Sequence, residues 1–193
     1  LHSLPRLYLH EGITHGDING VGYEVILKTF SDPTMLELCT PVVYGSPKVA
    51  AYHRKAMEIQ SSFSIVISAE EVQDGRVNVV NCIEEELKVE LTKPTPEAGK
   101  AALAALERAL ADYREGLFDV LVTAPINKHT IQSDAFHFPG HTEYIEERVG
   151  EGQKALMILL KGDFRVALVT GHVPGRDIAG ERTKALIMEK LES

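Results

Sequence analysis

The stretch "FDVLVTAPINK", Phe118–Lys128, carries the clearest strand signal of the chain. Its first part is a continuous apolar run, bounded by Pro125, which removes a backbone donor. Val, Leu and Val in succession predict a strand buried on both faces, as in a parallel sheet. Immediately before it lies the clearest helical pattern of the chain, Thr95 to Gly116. Pro96 stands where a first helical turn tolerates proline. Leu103, Leu106, Leu110, Tyr113 and Leu117 recur at three and four residues and draw one apolar stripe. Gly116 supplies a stop.

The same alternation runs through the chain. "LYLHEGIT" (7–14) reads as a strand, "HGDINGVG" (15–22) as a glycine-rich loop and "YEVILKTF" (23–30) as a helix. "PVVYGS" (41–46) is a short buried strand, followed by a helical "PKVAAYHRKAMEI" (47–59). "SFSIVIS" and "RVNVVNC" are strands separated by the polar turn "EEVQDG". "ALMILLKGD" (155–163) and "RVALVTGHVP" (165–174) are two more continuous apolar runs, expected in the same kind of sheet. "GERTKALIMEKLES" opens a helix whose Ile178, Leu186, Ile187 and Leu191 need an apolar partner. Strand then helix, several times over, predicts an α/β layered fold (α/β/α) with a mostly parallel sheet.

Bulk properties narrow the function. The 193 residues suffice for one large domain or two small ones, with 44% hydrophobic and 25% charged residues. A net charge of −8 argues against a nucleic-acid or anionic-membrane partner, since either wants a basic face. A small anionic substrate is compatible with it, because local groups decide that. Cys39 and Cys82, with no CxxC, fit a reducing compartment. No apolar run approaches the roughly 20 residues of a membrane span. The expected location is the cytoplasm.

Polar groups gather where strands end. In open α/β sheets ligands bind beyond the carboxyl ends of the strands. "LVTAPINK" leaves its strand at Thr123 and reaches Asn127 and Lys128; "LVTGHVPGRD" leaves at Thr170 and reaches His172, Arg176 and Asp177. The glycine loop offers Asp17 and Asn19, and "FPGHTE" places His141 and Thr142 at the mouth of a helix. A helix N-terminus attracts anions, although Thr142 can also be a simple N-cap. The four clusters are expected on one edge. "GDINGVG" is neither GxGxxG nor a Walker loop, so a tight turn is the plain reading of it. Lys128 is a solvated lysine unless an anion or desolvation gives it a role. There is no HExxH, no GxSxG elbow and no PCxxC after "HTE", which removes the common zinc-protease, serine-hydrolase and deaminase readings. His15 borders the glycine loop; the remaining histidines read as structural or surface groups.

"ITHGDINGVGYE", "VTAPINKHTI", "FPGHTEYIEER" and "ALVTGHVPGRDI", in this order and spacing, resemble the 4-hydroxythreonine-4-phosphate dehydrogenase family of the pyridoxal 5′-phosphate pathway. The resemblance runs from about Leu7 onward; "FPGHTE" and "VTGHVPGRD" are its specific pieces. It implies an isocitrate/isopropylmalate dehydrogenase-like fold of two α/β lobes, a homodimer, NAD or NADP, and a divalent metal (Zn, Mg, Mn or Co). It implies oxidation of 4-phosphooxy-L-threonine to 3-amino-2-oxo-4-phosphooxybutanoate, which loses CO2 to give 3-amino-1-hydroxyacetone 1-phosphate. His141 and Thr142 take the substrate-binding positions and His172 that of a metal ligand. Asp177 is read as orienting a ligand, and Lys128 as the catalytic proton carrier or phosphate contact. In the family's Gly-Asp-Pro-Ala-Gly-Ile-Gly-Pro-Glu loop, Ile18, Asn19 and Tyr23 replace Pro, Ala and Pro, while the glycines and Asp17 stay. Gly175 stands where leucine is common. The family's Asn-Pro-His-Ala-Gly-Glu and His-Asp-Gln-Gly motifs, which carry two further metal histidines, do not occur. Residues 1–193 are therefore expected to be one incomplete α/β unit, the N-terminal portion of a truncated two-lobed enzyme. Two other readings compete: a paralogue acting on another four-carbon acid phosphate, and a non-catalytic anion-binding short form.

Overall fold

The computed structural model describes residues 9–170, 176–181 and 183–192. Contacts divide the chain into two compact units, Leu1–Pro139 and Gly140–Ser193.

The first unit is built on a five-stranded, wholly parallel sheet of β1 (Leu9–Thr14), β2 (Cys39–Gly45), β3 (Phe63–Val66), β4 (Val77–Asn81) and β5 (Val120–Thr123), in the order β3-β4-β2-β1-β5. Helices α1 (Gly22–Thr29), α2 (Pro33–Leu38), α3 (Pro47–Ala56) and α4 (Pro96–Arg114) connect them. Successive strand residues point to opposite faces, and the core divides accordingly. Val43, Val77 and Val79 meet Ile26, Leu27, Val49 and Ala50 of α1 and α3 in one cluster. Val42, Tyr44 and Val80 meet Ala105 and Ala109 of α4, with Phe118, in the other. Helices thus cover both faces, and the expected α/β layered architecture with a mostly parallel sheet is present. The chain steps from β1 to β2 on one side, then returns from β4 to β5 on the other. The strand order therefore reverses between β1 and β5.

Two local expectations need correction. In α4 the buried face is the alanine one: Ala98, Ala101, Ala102, Ala105 and Ala109, with Leu106 and Leu110. Leu103 is only half-buried and Tyr113 is 42% exposed. Small residues let the helix backbone approach the sheet closely, a preference that a search for large apolar residues overlooks. Thr95 caps α4 by accepting from the Ala98 N–H. At the other end Gly116 has φ +69, Gly116 N–H donates to Tyr113 O and Leu117 N–H to Asp112 O, the bonds of a Schellman ending. Second, β5 is not buried on both faces. It is the edge of this sheet, and Val120 and Val122 are each 40% exposed.

The second unit holds α5 (His141–Val149), β6 (Met157–Lys161), β7 (Phe164–Leu168), α6 (Ile178–Glu181) and α7 (Lys184–Glu192). β6 and β7 were expected as buried parallel strands. They instead pair with each other antiparallel, Lys161 opposite Phe164, around the two-residue turn Gly162–Asp163. Gly162 has φ +56, the left-handed backbone that such hairpin turns require. β6 is exposed along its whole length. Continuous apolarity signals a preference for burial; the Gly-Asp turn decides the pairing. No described helix is long and apolar enough to cross a membrane.

Candidate active site

The reversal between β1 and β5 is where an α/β sheet opens a crevice beyond its carboxyl ends. Two of the four polar clusters lie there, and backbone bonds join them. The Asp17 N–H donates to Pro125 O at 2.9 Å, and the Ala124 N–H to Thr14 O at 3.0 Å. Gly16 makes this approach possible. It has φ +70, and a Cβ there would stand 2.3 Å from the Pro125 oxygen.

The glycine loop is held from every side. His53 Nε2 bonds Ile18 O at 2.8 Å, and His15 Nε2 bonds Ala101 O at 3.1 Å. The Tyr23 hydroxyl donates to Ser46 O and accepts from the Ser46 N–H. Its ring lies 5.3 Å from His15 and 5.6 Å from His53, centroid to centroid. Asn19 is buried. Its Nδ2 donates to Lys93 O (2.9 Å) and Thr95 Oγ1 (3.1 Å), and its Oδ1 accepts from the Glu90 N–H (2.8 Å). Ile18, Asn19 and Tyr23, which replace Pro, Ala and Pro of the resembled loop, are thus buried in the core. The Asn19 N–H goes to Asp17 Oδ1 and the Gly20 N–H to Asp17 O. The Asp17, Asn19 and Gly20 donors are thus engaged inside the protein, as in a tight turn.

Burial governs the titration of the groups below the loop. Desolvation lowers the His15 pKa to about 4; the hydrogen bond to Ala101 opposes this and the neighbouring His53 adds to it. His15 is therefore neutral at pH 7, with its proton on the nitrogen that faces Ala101 O. Burial also raises the Tyr23 hydroxyl pKa well above the usual range. The thiols of Cys39 and Cys82 are each pushed up to about 12, chiefly by burial. Neither is a nucleophile at neutral pH.

Lys128 sits on a built turn. Asn127 Oδ1 accepts from the His129 and Thr130 N–H groups at 3.0 and 3.2 Å. The Thr130 carbonyl lies directly on Gly99 of α4, where a Cβ would be 1.8 Å away. Gln132 Nε2 donates to both Lys128 O (3.2 Å) and Phe138 O (2.9 Å). That amide ties the lysine turn to the start of "FPGHTE", and sequence reasoning passed over it. Lys128 itself is exposed, so its unit does not supply the desolvation that proton transfer by a lysine needs.

His141 and Thr142 are the first two residues of α5, together on one turn. The plain reading of Thr142 as N-cap is not met: Gly140 is the cap, and it has no side chain with which to bond the first turn. Thr142 is exposed in that turn. Asp177 is exposed and its carboxylate lies 3.7 Å from Nε of the adjacent Arg176. His172 lies outside the described residues. Among the described residues no three His, Cys, Asp or Glu side chains approach closely enough to hold a metal ion.

Comparison with known proteins places this arrangement. Residues 37–193 match the family described as pyridoxal phosphate biosynthetic protein PdxA. The chain belongs to the PdxA family. It is 73% identical over 180 residues to 4-hydroxythreonine-4-phosphate dehydrogenase of Bacteroides thetaiotaomicron, covering 93% of the chain and 50% of that relative. It is 29% identical over 184 residues to D-threonate 4-phosphate dehydrogenase of Cupriavidus necator, covering 94% of the chain and 55% of the relative. Among solved structures, a 4-hydroxythreonine-4-phosphate dehydrogenase from Burkholderia phymatum superposes with a TM-score of 0.85 at 26% identity, covering 97% of the chain and 57% of that structure. The chain spans about half the length of the curated relatives it matches.

Proposed function

We propose that the protein to which this chain contributes oxidises 4-phosphooxy-L-threonine with NAD or NADP, giving 3-amino-2-oxo-4-phosphooxybutanoate. Loss of CO2 then gives 3-amino-1-hydroxyacetone 1-phosphate, on the route to pyridoxal phosphate. The observation that carries the reading is the first turn of α5, with His141 and Thr142 side by side at a helix start. The helix dipole favours an anion there, and an imidazole and a hydroxyl suit a phosphorylated hydroxy acid. The 73% identity to the Bacteroides thetaiotaomicron protein favours the amino acid substrate over D-threonate 4-phosphate.

Each residue has a role in this reading. His141 and Thr142 hold the substrate through its oxygens. Lys128, exposed on a fixed turn, is an anion contact in preference to a proton carrier. A bound nicotinamide would supply the hydride acceptor, and a divalent metal such as Zn, Mg, Mn or Co would supply polarisation of the reacting oxygen. The described residues do not assemble a group of three metal-holding side chains. His172 is proposed as one metal ligand, with the other donors supplied from beyond this chain. The working protein is proposed to be a cytoplasmic homodimer acting on a small substrate, with no nucleic-acid or membrane partner.

The test is NAD(P) reduction by the full-length protein, with 4-phosphooxy-L-threonine compared against D-threonate 4-phosphate. The reading expects preference for the amino acid. Preference for the hydroxy acid would move the assignment to the paralogue.

A further inference from the structure

Two loops flank the point where the strand order reverses, and only one of them carries Lys128. A second connection joins them besides the Asp17–Pro125 bond, and it starts at Asn19. The connection between β4 and α4 (residues 82–95) is long and irregular, and Thr92 within it adopts φ +67. Ile83, Leu87 and Val89 pack it onto the core. Asn19 anchors its second half through hydrogen bonds. Its side chain bonds Lys93 O, Thr95 Oγ1 and the Glu90 N–H, and its carbonyl accepts from the Thr92 N–H at 2.9 Å. Thr95 Oγ1 also caps α4. One turn further along the helix, Gly99 supports the Thr130 carbonyl. Thr130 in turn closes on Asn127, the residue before Lys128.

We propose that Asn19 is a positioning residue for Lys128. Acting through Thr95, the first turns of α4 and the Gly99–Thr130 contact, it fixes the lysine turn relative to the glycine loop. This rests on the reading of Lys128 as an anion contact. The path consists of part-buried hydrogen bonds and one backbone-on-backbone contact, so it transmits displacement rather than charge. A chain of packed groups of this kind couples sites only if disturbing one end moves the other.

The experiment uses the full-length protein with Asn19→Asp, which keeps an oxygen for the Glu90 N–H but removes both donors. Gly99→Ala, at the far end of the path, is the second variant. Amide hydrogen exchange is read at Thr130 and Ile131, whose N–H groups bond Asn127, with the β2 amides as the control for an intact fold. Exchange at Thr130 and Ile131 is expected to quicken about tenfold in N19D while β2 stays protected. KM for the phosphorylated substrate is expected to rise with little change in kcat, and N19D is expected to add nothing further in a Lys128→Met background. Unchanged exchange at Thr130 and Ile131 in both variants, with the fold intact, overturns the proposal. Faster exchange together with an unchanged KM in Lys128→Met alone upholds the coupling and defeats the reading of Lys128.

Discussion

The backbone N–H of Asp17 lies 2.9 Å from the carbonyl oxygen of Pro125. One residue belongs to the loop after β1, the other to the loop after β5, and the bond closes the sheet's reversal point. Gly16 allows this through its left-handed backbone and missing side chain. Gly16→Ala introduces both strain and a clash with the Pro125 oxygen. It is expected to cost about 3 kcal/mol of stability, read by urea unfolding. A cost below about 1 kcal/mol would show that the two loops separate readily.

His15 gives the fold an acid limit. Its pKa falls from 6.5 to about 4 on folding, so between those values the unfolded chain binds a proton that the folded one does not. Stability from this group is complete above pH 6.5 and is lost as pH falls toward 4. The loss over that window is on the order of 3 kcal/mol. His15→Gln is expected to flatten the pH dependence of the unfolding midpoint between pH 6.5 and 4. An unaltered profile would show that His15 is solvated.

Thr142 separates binding from stability. The side chain is exposed and does not cap α5, so Thr142→Ala is expected to leave the unfolding midpoint within about 0.5 kcal/mol. If its hydroxyl bonds a charged substrate, KM rises about tenfold or more. A loss of stability with KM unchanged would return Thr142 to a structural role.

The cysteines should be inert. With both pKa values pushed up to about 12, little thiolate exists at pH 8. Thiol-reactive dyes are expected to label the native protein slowly at Cys39 and Cys82, and both quickly in urea. Rapid native labelling of either would contradict its burial.

Much of this was legible in the sequence. The strands at Val42–Tyr44 and Val77–Val80 announce themselves by short valine-rich runs, and α4 by Pro96 and Gly116 at its ends. The hairpin of β6 and β7 was misread because apolar continuity says nothing of direction; Gly162–Asp163 carried that information. The alanine face of α4 was hidden because large residues dominate an apolar count. The family resemblance proposes His141 and Thr142 for the substrate, whereas the sequence does not show what Asn19 of the glycine loop or Gln132 bonds. Their importance comes from partners 71 to 76 residues away for Asn19, and from the two carbonyls that Gln132 bridges. Such contacts exist only once the chain has folded.

The proposed reaction couples oxidation to decarboxylation. Given 4-phosphooxy-L-threonine, NAD or NADP and a divalent metal, the full-length protein is expected to yield one equivalent each of reduced nicotinamide and released CO2 per substrate consumed, the two measured together. Reduced nicotinamide without CO2, or no turnover of this substrate at all, would overturn the proposed reaction.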